Sequence, residues 1–299
     1  MFQADVTCDE MLLSPTEYEK VRQLVYSKSG INLGPAKQQL VRARLSKRVR
    51  DCGFSTLLDY IKYVERDQSG QELQILLDSI STNTTHLFRE KVHFDFIAQQ
   101  IKQWADDRDW RRSHSTLRIW SAACSSGEEP YTIAMTVHHV LSNLGLSAKI
   151  LATDISTRVL AMAKRGIYER AQLKEVPVDF RSRYFRAARN NGEWCYEIAP
   201  EIREMITFSR FNLMMPTFPF KNGFDIVFCR NVMIYFDAPT REGLIGRITQ
   251  HLLPGGYLIV GHSESLNNIK QPLSYIQPTI YQKRENPPSS LMVRKIASA

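Results

Sequence analysis

The stretch SAACSSGEEPY, residues 121–131, decides how this chain folds. An apolar run, LRIW at 117–120, leads into a row of small residues and then Gly127, Glu128, Glu129 and Pro130. Small residues where a strand turns into a helix let backbone and ligand approach closely. Phosphate-binding turns share this layout, but there the helix N-terminus faces an anion. Here two glutamates open the helix. They suit the helix dipole and repel a pyrophosphate, so the turn favours a ligand that carries positive charge.

Downstream, strand and helix patterns alternate. Strand candidates are KILATD (149–154), FDIVFCR (224–230), YLIVG (257–261) and IYQKR (280–284). Helical patterns fall near 130–143, 156–164 and 239–252, with another near 89–105 and a charged loop over 106–115. This alternation predicts a doubly wound, mainly parallel α/β sheet. The interval 166–208 breaks it. Asn190, Asn191 and Gly192 signal a turn, and WCYEI (194–198) and MITFSRF (205–211) have strand composition. Part of this interval is expected to form an inserted antiparallel subdomain at about 181–208.

Upstream the pattern is helical. Ser14, Pro15 and Glu17 carry a capping-box signature, and the helix they start should stop at Gly30. Further helices are expected at about 35–51, 55–66 and 70–81. The predicted organisation is a helical N-terminal domain at 1–82, an α/β domain at 83–286 and a flexible tail at 287–299, with loose residues at 1–12.

The chain has 299 residues, 43% hydrophobic and 23% charged, an ordinary globular composition. No signal core and no membrane-spanning apolar run stand out, so a cytoplasmic protein is expected. Five cysteines (Cys8, Cys52, Cys124, Cys195, Cys229) include no CxxC pair, which indicates neither a disulfide framework nor a zinc site. The net charge of +8 points to an acidic partner: nucleic acid, anionic lipid or an acidic protein surface.

Asp154 ends the second strand, where an acid accepts hydrogen bonds from ribose hydroxyls; it could equally cap the next helix. Pro254, Gly255 and Gly256 make an ordinary turn before a late strand. Glycine turn, ribose acid and Pro-Gly-Gly, in that order, match S-adenosylmethionine-dependent methyltransferases. That cofactor carries a sulfonium and an ammonium, the charge the turn favours. Arg230, Asn231 and Tyr235 fall where the apolar run that ends near Cys229 stops, at the carboxyl edge of the sheet. DNA amino-methyltransferases carry Pro-Pro-Tyr there, and this chain has no Pro-Pro, which argues against a base substrate. The second helix carries Lys37, Arg42, Arg44, Lys47, Arg48 and Arg50 around an apolar stripe of Val41, Leu45 and Val49. A solvated face is the common explanation of such a run. Yet the helix has one acid, Asp51, and lacks i, i+4 pairing, so an acidic helical partner suits it. Nucleic acid is the competing partner, but no aromatics interleave for stacking.

The segments TNTTHLFRE (82–90), SAACSSGEEPYTIA (121–134), ATDIS (152–156), RFNL (210–213), FDIVFCRNVMIYF (224–236) and LLPGGYLIVGHSE (252–264) resemble the CheR-type chemotaxis receptor methyltransferases. The resemblance implies a Rossmann-like methyltransferase domain, a helical receptor-docking domain and an inserted β-subdomain. It implies transfer of a methyl group from S-adenosylmethionine to receptor glutamates by a monomer, leaving S-adenosylhomocysteine. It places Asn83, Thr85, Arg89, Glu129, Asp154, Asn212, Leu213, Arg230 and Asn231 around the cofactor, with Arg89 and Tyr235 where the methyl group leaves. Arg89 could hold the substrate carboxylate or the cofactor's own. Cys124 and Ser126 replace other small residues. The segment 189–193 lacks the Gly-x-Gly of members that tether to a receptor's C-terminal peptide, so tethering does not carry over. A nucleic-acid methyltransferase and a non-catalytic cofactor sensor are the alternatives.

Overall fold

Ser14 Oγ accepts from the Glu17 backbone N–H at 3.2 Å, and Glu17 Oε2 accepts from the Ser14 N–H at 3.0 Å. This reciprocal cap starts α1 (Pro15–Ser29). The helix ends at Gly30, where φ is 72° and a Cβ would lie 2.3 Å from Met214 Sδ. In this computed structural model the described residues are 13–284, without 114, 143, 191, 267, 268, 270 and 271. The expectations for 1–12, Cys8, Asn191 and the tail at 287–299 lie outside them.

After a 3-10 turn at Pro35–Lys37 come α2 (Gln38–Asp51), α3 (Leu57–Arg66) and α4 (Gln71–Ile80). Their apolar stripes meet in one core containing Val25, Val41, Leu45, Tyr60, Ile61 and Leu76. Val41, Leu45 and Val49 face inward, as their spacing predicts.

The α/β part runs α5 (Val92–Asp106), α6 (Arg108–Ser113), β1 (Thr116–Ala122), α7 (Glu128–Leu141), β2 (Ser147–Asp154) and α8 (Thr157–Arg165). It continues with β3 (Ile167–Glu169), α9 (Val178–Tyr184), β4 (Phe185–Asn190), β5 (Glu193–Ile198), α10 (Pro200–Arg203) and β6 (Ile206–Arg210). Then follow β7 (Phe224–Cys229), α11 (Ala238–His251), β8 (Leu252–Val260), β9 (Leu273–Gln277) and β10 (Ile280–Lys283). The main sheet has the order β6-β2-β1-β7-β8-β10-β9. The first five strands are parallel, and β10 is antiparallel to both neighbours. The order reverses between β1 and β7. At such a switch point a crevice opens beyond the carboxyl ends of the strands. Buried clusters cover both faces of the sheet.

Four expectations change. The charged loop at 106–115 contains α6, because Asp107 Oδ1 accepts from the Asp109 and Trp110 N–H groups and Trp110 stacks on Trp104 at 5.3 Å. The small antiparallel sheet, β3-β5-β4, lies at 167–198 rather than 181–208. Residues 206–210 return to the main sheet as its parallel edge, because Ile150–Asp154 pairs there. Strand composition alone does not distinguish a hairpin arm from a parallel edge. Pro254, Gly255 and Gly256 lie inside an irregular start of β8, whose register shifts against β7. A Cβ on Gly256 would stand 2.7 Å from the Asp225 carbonyl.

Candidate functional site

The turn after β1 is tied to the end of β2. Ala123 and Cys124 N–H groups both donate to the Thr153 carbonyl at 2.8 Å. Ser125 N–H donates to Asp154 Oδ2 at 2.9 Å, and Ser156 N–H to Asp154 Oδ1 at 2.9 Å. Asp154 therefore caps the chain on both sides and stays buried, and burial raises its carboxyl above the usual value. Gly127 has φ of 99°, and a Cβ there would meet Ala163 Cβ at 3.0 Å. Only glycine lets α7 start so close to α8. Apart from Thr279, the non-glycine residues with positive φ among the described residues are Phe88, Glu90, Ala123, Ser125 and Asn231. Ala123, Ser125 and Asn231 border one crevice, and Phe88 and Glu90 flank Arg89 on its wall, a concentration typical of functional sites.

Arg230 follows β7 and is 5% exposed. Its Nη1 donates to Glu129 Oε2 at 2.9 Å, and Nη2 donates to Glu90 Oε2 at 3.0 Å and to the Arg89 carbonyl at 2.6 Å. Glu129 Oε1 accepts from Ser121 Oγ at 2.7 Å. One guanidinium thus ties the start of α7 to the segment before α5. Burial raises the Glu129 carboxyl despite the Arg230 charge. Burial acts on Glu90 in the same sense, but Arg230 outweighs it and holds that carboxyl low.

Glu90 and Glu264 were not foreseen, although both lie within segments that resemble known relatives. Glu264 is 4% exposed and accepts from the N–H groups of Asn231, Met233 and Gly261 at 2.8, 2.7 and 2.7 Å. It shapes the turn that carries Asn231 and the 3-10 helix Met233–Tyr235. Neither role has a clear local sequence signal, because most of the partners, Asn231 and Met233 for Glu264 and Arg230 and Asn231 for Glu90, come from distant segments.

The helical module closes the crevice. Asn212 Nδ2 donates to the Lys28 carbonyl at 2.7 Å, Asn32 N–H to the Tyr235 carbonyl at 2.8 Å, and Gln74 Nε2 to the Ile155 carbonyl at 2.9 Å. Ser125 Oγ donates to the Asn83 carbonyl at 3.1 Å. A cleft open to solvent lies between the helical module and the sheet edge. Asn83, Thr85 and Arg89 line it from the connecting segment, and Arg89 Nη1 donates to the Thr84 carbonyl at 2.8 Å. Glu129 and Asp154 line it from the sheet edge, Asn212 and Leu213 from the turn after β6. Arg230, Asn231 and Tyr235 complete the wall. Every residue expected around the cofactor therefore borders a single cavity.

The six bases expected on the second helix separate into different environments, with Lys37 in the 3-10 turn before α2. Lys37 borders the cleft, with Nζ 5.0 Å from the Tyr235 ring centroid. Arg44 Nη1 donates to the Ile80 and Ser81 carbonyls at 2.6 and 3.1 Å, where a cation suits the C-terminus of α4. Arg48 grips Glu72 with both arms, Nε to Oε1 at 2.8 Å and Nη2 to Oε2 at 2.5 Å. Glu72 also accepts from Tyr60 Oη at 2.7 Å. Arg44 and Arg48 thus hold the module together, and their expected place on an open docking face is corrected. The acid that pairs with Arg48 comes from α4, so the helix's own sequence hides it. Lys47 and Arg50 are exposed, and Arg42 is half-buried.

Among the described residues, no helix is long and apolar enough to cross a membrane. Residues 16–81 match the family described as CheR methyltransferase, all-alpha domain, and residues 83–282 match CheR methyltransferase, SAM binding domain. The chain is 38% identical over 273 residues to a chemotaxis protein methyltransferase of Borreliella burgdorferi, covering 91% of this chain and 95% of that one. It is 35% identical over 271 residues to one from Salmonella typhimurium, covering 91% of each. It is 34% identical over 273 residues to one from Escherichia coli, covering 91% of this chain and 92% of that one. The cofactor is S-adenosylmethionine, and the chain belongs to the CheR methyltransferase family.

Proposed function

We propose that this protein methylates glutamate side chains of chemotaxis receptors, the methyl-accepting chemotaxis proteins, as a cytoplasmic enzyme forming methyl esters. The observation that carries this is one cleft at the carboxyl edge of the sheet, bordered by Glu129, Asp154, Arg89 and Tyr235 and closed by a helical module. The names of the similar proteins support the partner.

The donor set suits the cofactor. Asp154 keeps acceptor capacity beyond its two backbone bonds and would hold the ribose hydroxyls. Glu129, steadied by Arg230 and Ser121, would take the ammonium. Asn212 and Leu213 would frame the adenine, while Asn83, Thr85 and Asn231 complete the enclosure. When bound, the cofactor supplies an electrophilic methyl group on a sulfonium. Arg89 would hold either the acceptor carboxylate or that of the cofactor, and Tyr235 would orient the acceptor.

A glutamate has an ordinary pKa of about 4.3 and is ionised at neutral pH, so no general base is required. Positioning does the main work. The helical module limits access of water to the cleft, which favours a step where opposite charges disappear. The ester removes a negative charge from a receptor helix and can shift a two-state bundle. Exposed bases on α2 would speed encounter with an acidic receptor.

Labelled methyl donor is incubated with the protein and receptor-bearing membranes, tRNA or DNA. The account expects label on the receptor alone, released by alkali as an ester is. Label on nucleic acid, or label on receptor that survives alkali, contradicts it. Binding without transfer to any substrate would instead mark a cofactor sensor.

A further inference from the structure

Behind the cleft wall, Glu90, His93 on α5 and His262 after β8 converge. His93 Nδ1 lies 3.5 Å from Glu90 Oε2, and His262 Nδ1 lies 4.0 Å from Glu90 Oε1. One potential ligand atom from each residue falls within 4.8 Å of the others. The imidazole rings stand 5.5 Å apart at 71°. Methyl transfer uses neither histidine.

The hydrogen bonds fix what His93 offers. Its side chain is wholly buried, and Nε2 lies 2.7 Å from Thr279 Oγ1. A hydroxyl has one proton to donate. Thr279 gives its proton to the Pro278 carbonyl. On that hydrogen-bond assignment His93 Nε2 is the donor, which leaves Nδ1 of the neutral ring as a bare lone pair. That atom has no hydrogen-bond partner. A buried lone pair therefore faces a carboxylate oxygen, acceptor against acceptor. The arrangement is completed by a cation placed between them.

We propose that Glu90, His93 and His262 form a binding site for a divalent transition cation of the zinc class. Two imidazole nitrogens and a carboxylate oxygen suit such an ion, with a fourth position left for water. Bonds of about 2.0–2.2 Å place tetrahedral ligand atoms about 3.3–3.6 Å apart. The 3.5 Å separation of His93 Nδ1 from Glu90 Oε2 fits that spacing; His262 Nδ1 lies 4.0 Å from the other oxygen, Oε1, so His262, whose side chain is 58% exposed, must rotate towards the ion or the carboxylate must bind through both oxygens. Thr279 supplies the acceptor that a metal-bound imidazole uses on its far nitrogen. Arg230 is the competing cation on Glu90, but it shares its charge with Glu129. Glu90 also accepts from Asn231 Nδ2 at 3.4 Å, so an ion here reaches the cleft wall. The site goes beyond the proposed methyl transfer and does not rest on it.

The untagged full chain, dialysed against chelator, is titrated with Co²⁺ and followed by visible absorption. The expected result is one equivalent bound per chain, with the strong bands of a four- or five-coordinate ion. His262→Ala should weaken binding at least tenfold and leave the melting temperature unchanged. Nitrogen NMR should show His93 Nδ1 unprotonated before metal and shifted after Zn²⁺ is added. Absence of saturable binding overturns the proposal, as does equal binding by wild type and His262→Ala. A doubly protonated His93 in the metal-free protein overturns it too, since a proton then occupies the position.

Discussion

Arg230 and Glu129 form a buried ion pair, 2.9 Å from Nη1 to Oε2, on the wall of the cleft. The same guanidinium holds Glu90 and the Arg89 carbonyl, so one side chain fixes both sides of the crevice. Removing one partner of a buried pair costs about 3–5 kcal/mol, because the charges left behind are uncompensated. Arg230→Met should lower the melting temperature and weaken S-adenosylhomocysteine binding at least tenfold. Thermal unfolding and calorimetry check both. Unchanged stability would mean that the pair does not organise the cleft.

Asp154→Asn keeps one acceptor for the turn but loses the charge. A hydrogen bond to a charged group contributes about 1.5–3 kcal/mol, so the affinity for labelled methyl donor should fall roughly 10- to 150-fold. Equilibrium dialysis measures it. A loss under twofold would remove Asp154 from the ribose role.

The bases of α2 separate by experiment as they do in space. Arg48→Met should destabilise the protein by about 1.5–3 kcal/mol, since it strands Glu72. Lys47→Glu with Arg50→Glu should change stability by less than about 0.5 kcal/mol per site. That double variant should slow receptor methylation at low salt and leave donor binding intact, with the difference shrinking as salt rises. Denaturant unfolding and initial rates provide the readouts. Equal loss of both activities would assign those residues a structural role.

Glu72 also predicts an acid response. Its hydrogen bond to Arg48 holds the carboxyl below the usual 4.5 despite burial. A carboxyl depressed in the folded state contributes stability that is full above its unfolded pKa and is lost as pH falls through the folded value. Wild type should therefore lose stability below about pH 4.5 more steeply than Glu72→Gln. Parallel slopes in urea denaturation across that range would contradict this.

The sheet was legible because its buried parallel strands carry continuous apolar runs, as in residues 226–229. The turn at 121–131 was legible because small residues and paired glutamates sit side by side in the chain. The edge strand Ile206–Arg210 was misplaced because an edge strand has the composition of a hairpin arm. Arg44 and Arg48 were misread because their partners, Ile80 and Glu72, lie on another helix. Glu90, His93 and His262 were invisible as a cluster because 169 residues separate the two histidines.

The most direct test of the central claim, a cleft built for a cationic methyl donor, is calorimetric titration with S-adenosylhomocysteine, ATP and NAD in turn. The account predicts that S-adenosylhomocysteine binds at one per chain and that ATP and NAD release no measurable heat. Tight binding of ATP or NAD with none of S-adenosylhomocysteine would contradict it.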